Sequence, residues 1–136
     1  MDRPLTSRAR ADAIVEFALL APTLLLILFG ILELGRVVDA WLVVHNAARE
    51  GARAGVMIYT DADAASGATA AAGAYLTSSL SGRTDIAGIP LPTAQVTDDT
   101  VQVTAQADVR LYTPVFQTML GRNPISVRAT ASMRRQ

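Results

Sequence analysis

The chain contains no cysteine among its 136 residues, which excludes disulfide frameworks, thiolate metal sites and a cysteine nucleophile. Histidine occurs once, as His45, so a hydrolytic triad or an imidazole metal site would depend on that one side chain. Twelve basic and twelve acidic residues give a net charge of zero, which provides no basic surface for nucleic acid. We therefore expect no catalytic residues, bound metal, cofactor, small-molecule substrate or nucleic-acid partner.

Charge is also absent from a long segment near the N-terminus, residues 17–32, which lies between Glu16 and Glu33. Extended back to Ala13, this apolar segment reaches the roughly 20 residues needed to cross the hydrocarbon core of a bilayer. Three arginines and two aspartates precede it, and this net positive flank predicts a cytoplasmic N-terminus and an extracytoplasmic C-terminal domain. We expect a single-pass protein of the cytoplasmic (inner) membrane, with residues 12–33 as the transmembrane helix.

A secretory signal peptide has a similar basic and apolar pattern. Signal peptidase, however, requires small residues in an A-x-A pattern just after the apolar run, and residues 33–41 offer none. The triplet Ala9-Arg-Ala11 lies before the run instead. We therefore expect the apolar segment to remain in the protein.

Helical periodicity continues beyond the span. Apolar residues recur every three or four positions, at Leu34, Val37, Val38, Trp41, Val44, Ala48 and Ala52. One helix from Ala13 to about Ile58 would be about 70 Å long, which suits packing beside copies of itself or a relative. Ala47, Gly51 and Gly55 are small residues spaced by four that let another backbone approach closely. Either the sheet of the same chain or a neighbouring subunit would pack on them.

The C-terminal part predicts a second helix and a small sheet. Alanines at helical spacing indicate a weaker helix over residues 61–81, and residues 81–93 indicate a loop. Alternation of apolar and polar residues predicts strands at 94–97, 101–111 and 124–134, with an apolar turn or short helix between the two long strands. The expected fold class is α+β, with a small antiparallel sheet packed on a long N-terminal helix that is transmembrane and then amphipathic.

Glu16 raises a physical question of its own. It lies at the edge of the apolar segment, where a carboxylate is costly unless it is paired. Either a cationic partner meets it there, or its side chain reaches out to the membrane interface.

The sequence around Glu16 resembles the processing site of type IV prepilins and pseudopilins. The string Ala11-Asp-Ala-Ile-Val-Glu16-Phe17 stands directly before the apolar run, and in those families a short basic leader is removed so that Glu becomes the fifth mature residue. The resemblance implies a pilin-like helix and a cytoplasmic leader, residues 1–11, which prepilin peptidase cuts off between Ala11 and Asp12. These families usually carry Gly before the cut, where this chain has the similarly small Ala11. The resemblance also implies that Glu16 pairs with the new amino terminus, in its own or a neighbouring subunit.

A narrower resemblance covers most of the chain. It is carried by Glu16-Phe-Ala-Leu-Leu-Ala-Pro22, Gly35-Arg36, Asn46-Ala-Ala-Arg-Glu-Gly-Ala-Arg53 and Ala129-Thr-Ala-Ser-Met-Arg-Arg135. These motifs are similar to those of the TadE-like family of the bacterial tight-adherence (Flp, type IVc-like) pilus. The resemblance implies a non-enzymatic, membrane-anchored pseudopilin or minor pilin that contributes to adhesive pili. Its implied partners are the lipid bilayer, prepilin peptidase, other pilin-like subunits and the pilus assembly platform.

Two other functions are compatible with the sequence. The first is an uncleaved single-span protein whose extracytoplasmic domain, residues 34–136, binds a ligand or scaffolds an envelope complex. The second is a membrane-anchored enzyme, which would have to depend on His45. Persistence of the leader would distinguish the first from a pilin-like protein, and loss of an activity in a His45→Ala variant would reveal the second.

Overall fold

A computed structural model describes residues 5–135, with side chains from residue 10 onward. In this part of the chain the fold is α+β, as predicted: a long N-terminal helix, two shorter helices and a small antiparallel sheet. The elements in chain order are α1 (Leu5–Val56), α2 (Asp61–Leu80), β1 (Ile86–Gly88), β2 (Thr93–Thr97), β3 (Thr100–Val109), α3 (Pro114–Leu120) and β4 (Ile125–Arg134).

Helix α1 contains both the apolar span and its continuation in a single run of 52 residues, about 78 Å at the α-helical rise per residue. It begins at Leu5, earlier than the predicted Ala13, because alanine and arginine are good helix formers without any apolar periodicity to reveal them. It ends at Val56, close to the predicted end. Pro22 lies inside it.

The apolar half of α1 stands apart from the rest of the protein. Between residues 10 and 32 every residue is exposed except Ala21 and Gly30, which are half-buried. By length and composition α1 could cross a membrane, and no other helix within residues 10–135 could. An exposed apolar surface of this length fits lipid, because monomeric soluble proteins rarely expose such large apolar patches to water. The chain therefore has the form of a single-pass membrane protein.

The sheet is built around β3. Strand β4 pairs antiparallel with β3 along its full length, from Thr100 opposite Arg134 to Val109 opposite Ile125. The other edge of β3 is shared, because β2 pairs with its first half and β1 with its last two residues. The ends of strands β2, β3 and β4 lie within two residues of the ranges expected from the sequence, 94–97, 101–111 and 124–134.

Strand β1 was not predicted, since it lies within the segment expected to be a loop. It has only three residues, too few for an alternating pattern to be recognised. Its pairing is fixed by β3, and the backbone N–H of Arg110 donates to the carbonyl oxygen of Asp85 at 2.8 Å just beyond it.

The core lies between the sheet and the helix pair α1–α2. Alternate residues of β3 point into it and are fully buried, as the period of two predicts: Val101, Val103, Ala105, Ala107 and Val109. Helix α2 contributes Ala64, Ala68, Ala72, Leu76 and Leu80, and α1 contributes Ala40, Val44, Ala47, Ala48 and Ala52. Most of these side chains are alanine, so the two helices and the sheet approach one another closely.

Candidate functional site

The small residues of α1 face its own domain. A Cβ atom added to Gly51 would lie 2.7 Å from the carbonyl oxygen of Ala68 and 2.9 Å from the Cβ of Ala72, both in α2. One added to Gly55 would lie 2.8 Å from Cγ1 of Val101 in β3. Ala47 is fully buried on the same face. Of the two partners that the sequence left open for this series, the structure places α2 and the sheet of the same chain against it.

A second face of α1 stays open. Leu34, Val38, Trp41 and Leu42 are 64%, 45%, 43% and 48% exposed, and we call these four residues the outer stripe. The outer stripe extends the apolar surface of the span alongside the folded domain. The indole of Trp41 stacks on the imidazole of His45, with ring centroids 5.4 Å apart.

The apolar periodicity of the sequence had indicated a single apolar face where the structure has two. It grouped Leu34, Val38 and Trp41 with Val44, Ala48 and Ala52, whereas the structure buries the last three and exposes the first three. The buried face is the one where small side chains let α2 and β3 come close. Periodicity locates apolar positions, but it does not indicate which of them the same chain covers.

The predicted processing and pairing residues lie on the exposed, N-terminal part of α1. Ala11, Asp12, Glu16 and Phe17 are all exposed, with Phe17 at 68%. None of the ion pairs found within residues 10–135 involves Glu16. In the intact chain the nitrogen of Asp12 is a peptide N–H, so the pairing of Glu16 with a free amino group stays a prediction.

A buried carboxylate that the sequence pattern did not predict lies at the junction of span and domain. Glu33 is only 5% exposed, and its Oε1 accepts a hydrogen bond of 2.6 Å from the backbone N–H of Tyr112. Its Oε2 lies 3.2 Å from Nη2 of Arg36, without the alignment of a hydrogen bond. The guanidinium carbon of Arg36 is in turn 4.7 Å from the ring centroid of Tyr112. The i, i+3 spacing of Glu33 and Arg36 was readable in the sequence, but the contact with Tyr112 was not.

Helix α3 packs beside this junction. The ring of Phe116 approaches α1 at Gly30, where an added Cβ would lie 3.1 Å from Cζ. A cleft of about 230 Å³ separates α3 from α1 further along. It is lined by Glu33, Leu34, Val37, Leu111, Phe116, Leu120 and Ile125.

Arginine side chains bind the loops of the domain to its helices. Arg83 donates to Asp39 of α1 at 2.5 Å and to Asp85 at 2.7 Å. The hydrogen bond from Arg83 holds the pKa of Asp85 below its ordinary value of 3.8, although burial acts in the opposite direction. At the far end of the domain, Arg135 donates to Asp61 and to the carbonyl oxygen of Ile58 at 2.7 Å.

Four aspartates lie close together in the sequence, Asp61 with Asp63 and Asp98 with Asp99. Besides the contact of Asp61 with Arg135, Asp63 accepts a hydrogen bond from the hydroxyl of Thr60. Asp98 and Asp99 form the turn between β2 and β3. Over residues 10–135, no three His, Asp or Glu side chains come together in a group that could hold a metal ion.

A known protein family matches part of this sequence. Residues 12–53 match the family described as TadE-like protein. No curated protein and no solved structure gives a significant match. The matched segment begins at Asp12 and includes the exposed span, the outer stripe and two of the three small residues, Ala47 and Gly51. The resemblance to the TadE-like family is therefore confirmed over residues 12–53 of the long helix.

Proposed function

We propose that this chain is a membrane-anchored pseudopilin or minor pilin of the tight-adherence pilus. The TadE-like segment supports an association with that pilus system. The outer stripe is the observation that supports the role of pseudopilin or minor pilin, because it extends the lipid-facing surface of α1 past the end of the span. We expect this continuous surface to pack against other pilin-like subunits.

Helix α1 passes through two environments, the membrane and the region alongside the folded domain. Side chains of the span are covered by lipid, whereas Leu34, Val38 and Trp41 lie beyond the apolar run, alongside the folded domain. Burying apolar area stabilises association by about 25 cal/mol per Å². Since α2 and the sheet already occupy the small-residue face, a partner helix has the outer stripe available to it.

Processing is the second component of the proposal. Prepilin peptidase would cut between Ala11 and Asp12 on the cytoplasmic side and create an amino group four residues before Glu16. An opposite charge nearby offsets part of the cost of placing a carboxylate at the bilayer edge. In the assembled state the amino group of one subunit would meet Glu16 of its own or a neighbouring chain and set the helix register.

These steps imply a location and a set of partners. The protein would be held in the cytoplasmic membrane with its N-terminus inside and the α+β domain outside. It would meet prepilin peptidase, the assembly platform and other pilin-like subunits there, and some copies would enter the surface pilus.

Site-specific photocrosslinking tests the packing role. A photoreactive amino acid is placed at Val38 in the outer stripe and, as a matched control, at Leu91, which is 87% exposed on the domain. We expect crosslinks from Val38 to a pilin-like subunit, identified by mass spectrometry, and none from Leu91. Crosslinks of equal yield from both positions, or no crosslinks from Val38, would contradict the proposed packing.

A further inference from the structure

Helix α3 exposes apolar side chains while its polar ones are directed to its own segment. Val115, Met119 and Leu120 are 45%, 76% and 49% exposed. The amide of Gln117 donates to a backbone carbonyl oxygen at 2.7 Å, and the hydroxyl of Thr118 donates to another at 3.1 Å. A surface helix in water shows the reverse arrangement, with polar groups outward. The outward face of α3 is therefore suited to an apolar environment.

The depth of α3 along α1 is fixed by two contacts. Phe116 packs on Gly30, which lies within the apolar run and about 3 Å along the helix axis from Leu32. The hydrogen bond from the Tyr112 N–H to Glu33 holds the chain just before α3 at the end of that run. Helix α3 thus lies at the level where the membrane span ends.

We propose that α3 rests in the surface of the bilayer on the side of the folded domain, with Val115 and Met119 among the upper acyl chains. This inference depends on the membrane span of the proposed function. The occupant is lipid because α3 is continuous with the lipid-facing surface of α1 and lies at the same depth as its end. Short apolar segments with a polar flank bind at this interface by burying side chains at the headgroup boundary.

The groups around α3 have the chemistry of an interface. Tyr112, which is 46% exposed, precedes α3, and tyrosine is enriched at membrane–water boundaries. Arg122 follows α3 and is exposed, so its guanidinium is available to lipid phosphate. With α1 crossing the bilayer and α3 lying in its surface, the domain has two points of attachment. Its tilt relative to the membrane is then restricted.

Depth-dependent fluorescence quenching tests this placement, because a chain without cysteine accepts single labels. Met119→Cys carries an environment-sensitive fluorophore, and the full chain is reconstituted in phosphatidylethanolamine–phosphatidylglycerol vesicles that contain lipids with nitroxides at a shallow and at a deep position of the acyl chain. Leu24→Cys in the span, 60% exposed, is the positive control, and Tyr59→Cys, 100% exposed beyond α1, is the negative control. Tyr59 lies on the order of 40 Å along the axis from Leu32. We expect loss of emission at Met119 and Leu24, and no loss at Tyr59.

Each other outcome has a distinct meaning. Quenching at Leu24 without quenching at Met119 would overturn the placement of α3 and leave the span intact. Absence of quenching at both positions would overturn the span, and with it the proposed function. Blue-shifted but unquenched emission at Met119 that disappears as the protein-to-lipid ratio falls would show that a second copy covers α3, and this would also overturn the inference.

Discussion

Gly51 shows how a single missing methyl group determines the packing of the domain. Its Cα faces the backbone of α2 so closely that the Cβ of an alanine would lie 2.7 Å from a carbonyl oxygen. Such a separation forces α1 and α2 apart, and overpacking of this kind costs about 1–3 kcal/mol. We expect Gly51→Ala to lower the free energy of unfolding of the detergent-solubilised chain, measured by denaturant titration of Trp41 fluorescence.

Gly35→Ala is the matched control for this prediction. Gly35 is also in α1, but nothing lies within 4 Å of an added Cβ there. Replacing glycine by alanine at an open helical position stabilises a helix by about 0.5–1 kcal/mol. Equal effects of the two substitutions would show that the close approach of α2 at Gly51 is not present in solution.

The ion pair of Arg83 and Asp85 gives a second prediction at the scale of single residues, a pH dependence of the folding stability. The pKa of Asp85 is lower in the folded chain than its ordinary value of 3.8, so the unfolded chain binds more protons between these two values. The stability contributed by the pair is therefore present above the ordinary pKa and is lost as the pH falls through the folded one. Thermal unfolding from about pH 6 to about pH 3 should show a smaller acid-induced loss for Asp85→Asn than for the unmodified chain.

Asp98→Asn provides the comparison for this titration, since Asp98 is an exposed residue of the β2–β3 turn. The acid-induced loss for Asp85→Asn should be smaller than that for Asp98→Asn. A curve for Asp85→Asn that coincides with the unmodified chain at every pH would show that Arg83 does not stabilise the Asp85 carboxylate.

At the scale of the element, the proposed function gives α1 three roles along one helix: leader and pairing residues, membrane span, and core of the domain. Because Glu16 lies in the exposed N-terminal part, its replacement leaves the folded domain untouched. We expect Glu16→Ala to retain membrane insertion but to reduce incorporation into the pilus machinery. Fractionation measures insertion, and quantified surface pili measure incorporation.

Glu50→Ala is the control for the loss of a helix carboxylate. Glu50 lies further along α1, where it pairs with Arg53 at 2.6 Å on the exposed surface. Exposed pairs of this kind contribute little to stability because water and salt screen them, so piliation should be nearly unchanged. Normal piliation in Glu16→Ala would remove the register role from the proposal.

At the scale of the whole molecule, the expected mature protein consists of α1 from Asp12 onward and the folded domain. Mass spectrometry of the N-terminal peptide from isolated membranes should give a start at Asp12 that disappears when prepilin peptidase is absent. Ala11→Gly restores the residue that is usual before the cut and should be processed at least as completely. A start at Met1 or Asp2 in both forms would contradict processing and favour an uncleaved single-span protein.

Much of the architecture was encoded locally. The uncharged run, the alternation in β3 and β4, and the alanine spacing of α2 each depend on neighbours within a few residues, so the sequence predicted these elements closely. Strand β1 was missed because its three residues form a strand only against the edge of β3. Residues 112–121 were read only as a turn or short helix, because their contacts with α1 join distant parts of the chain.

The sequence by itself determined the span, the order of α1, α2 and strands β2 to β4, and the TadE-like motifs of α1. Only the tertiary structure decided that Gly51 and Gly55 face α2 and β3 while the outer stripe stays open. It also decided that Glu33 binds the backbone of Tyr112 at the end of the span. The physical reason is that periodicity reports which positions are apolar, whereas burial and pairing depend on which distant segment reaches them first.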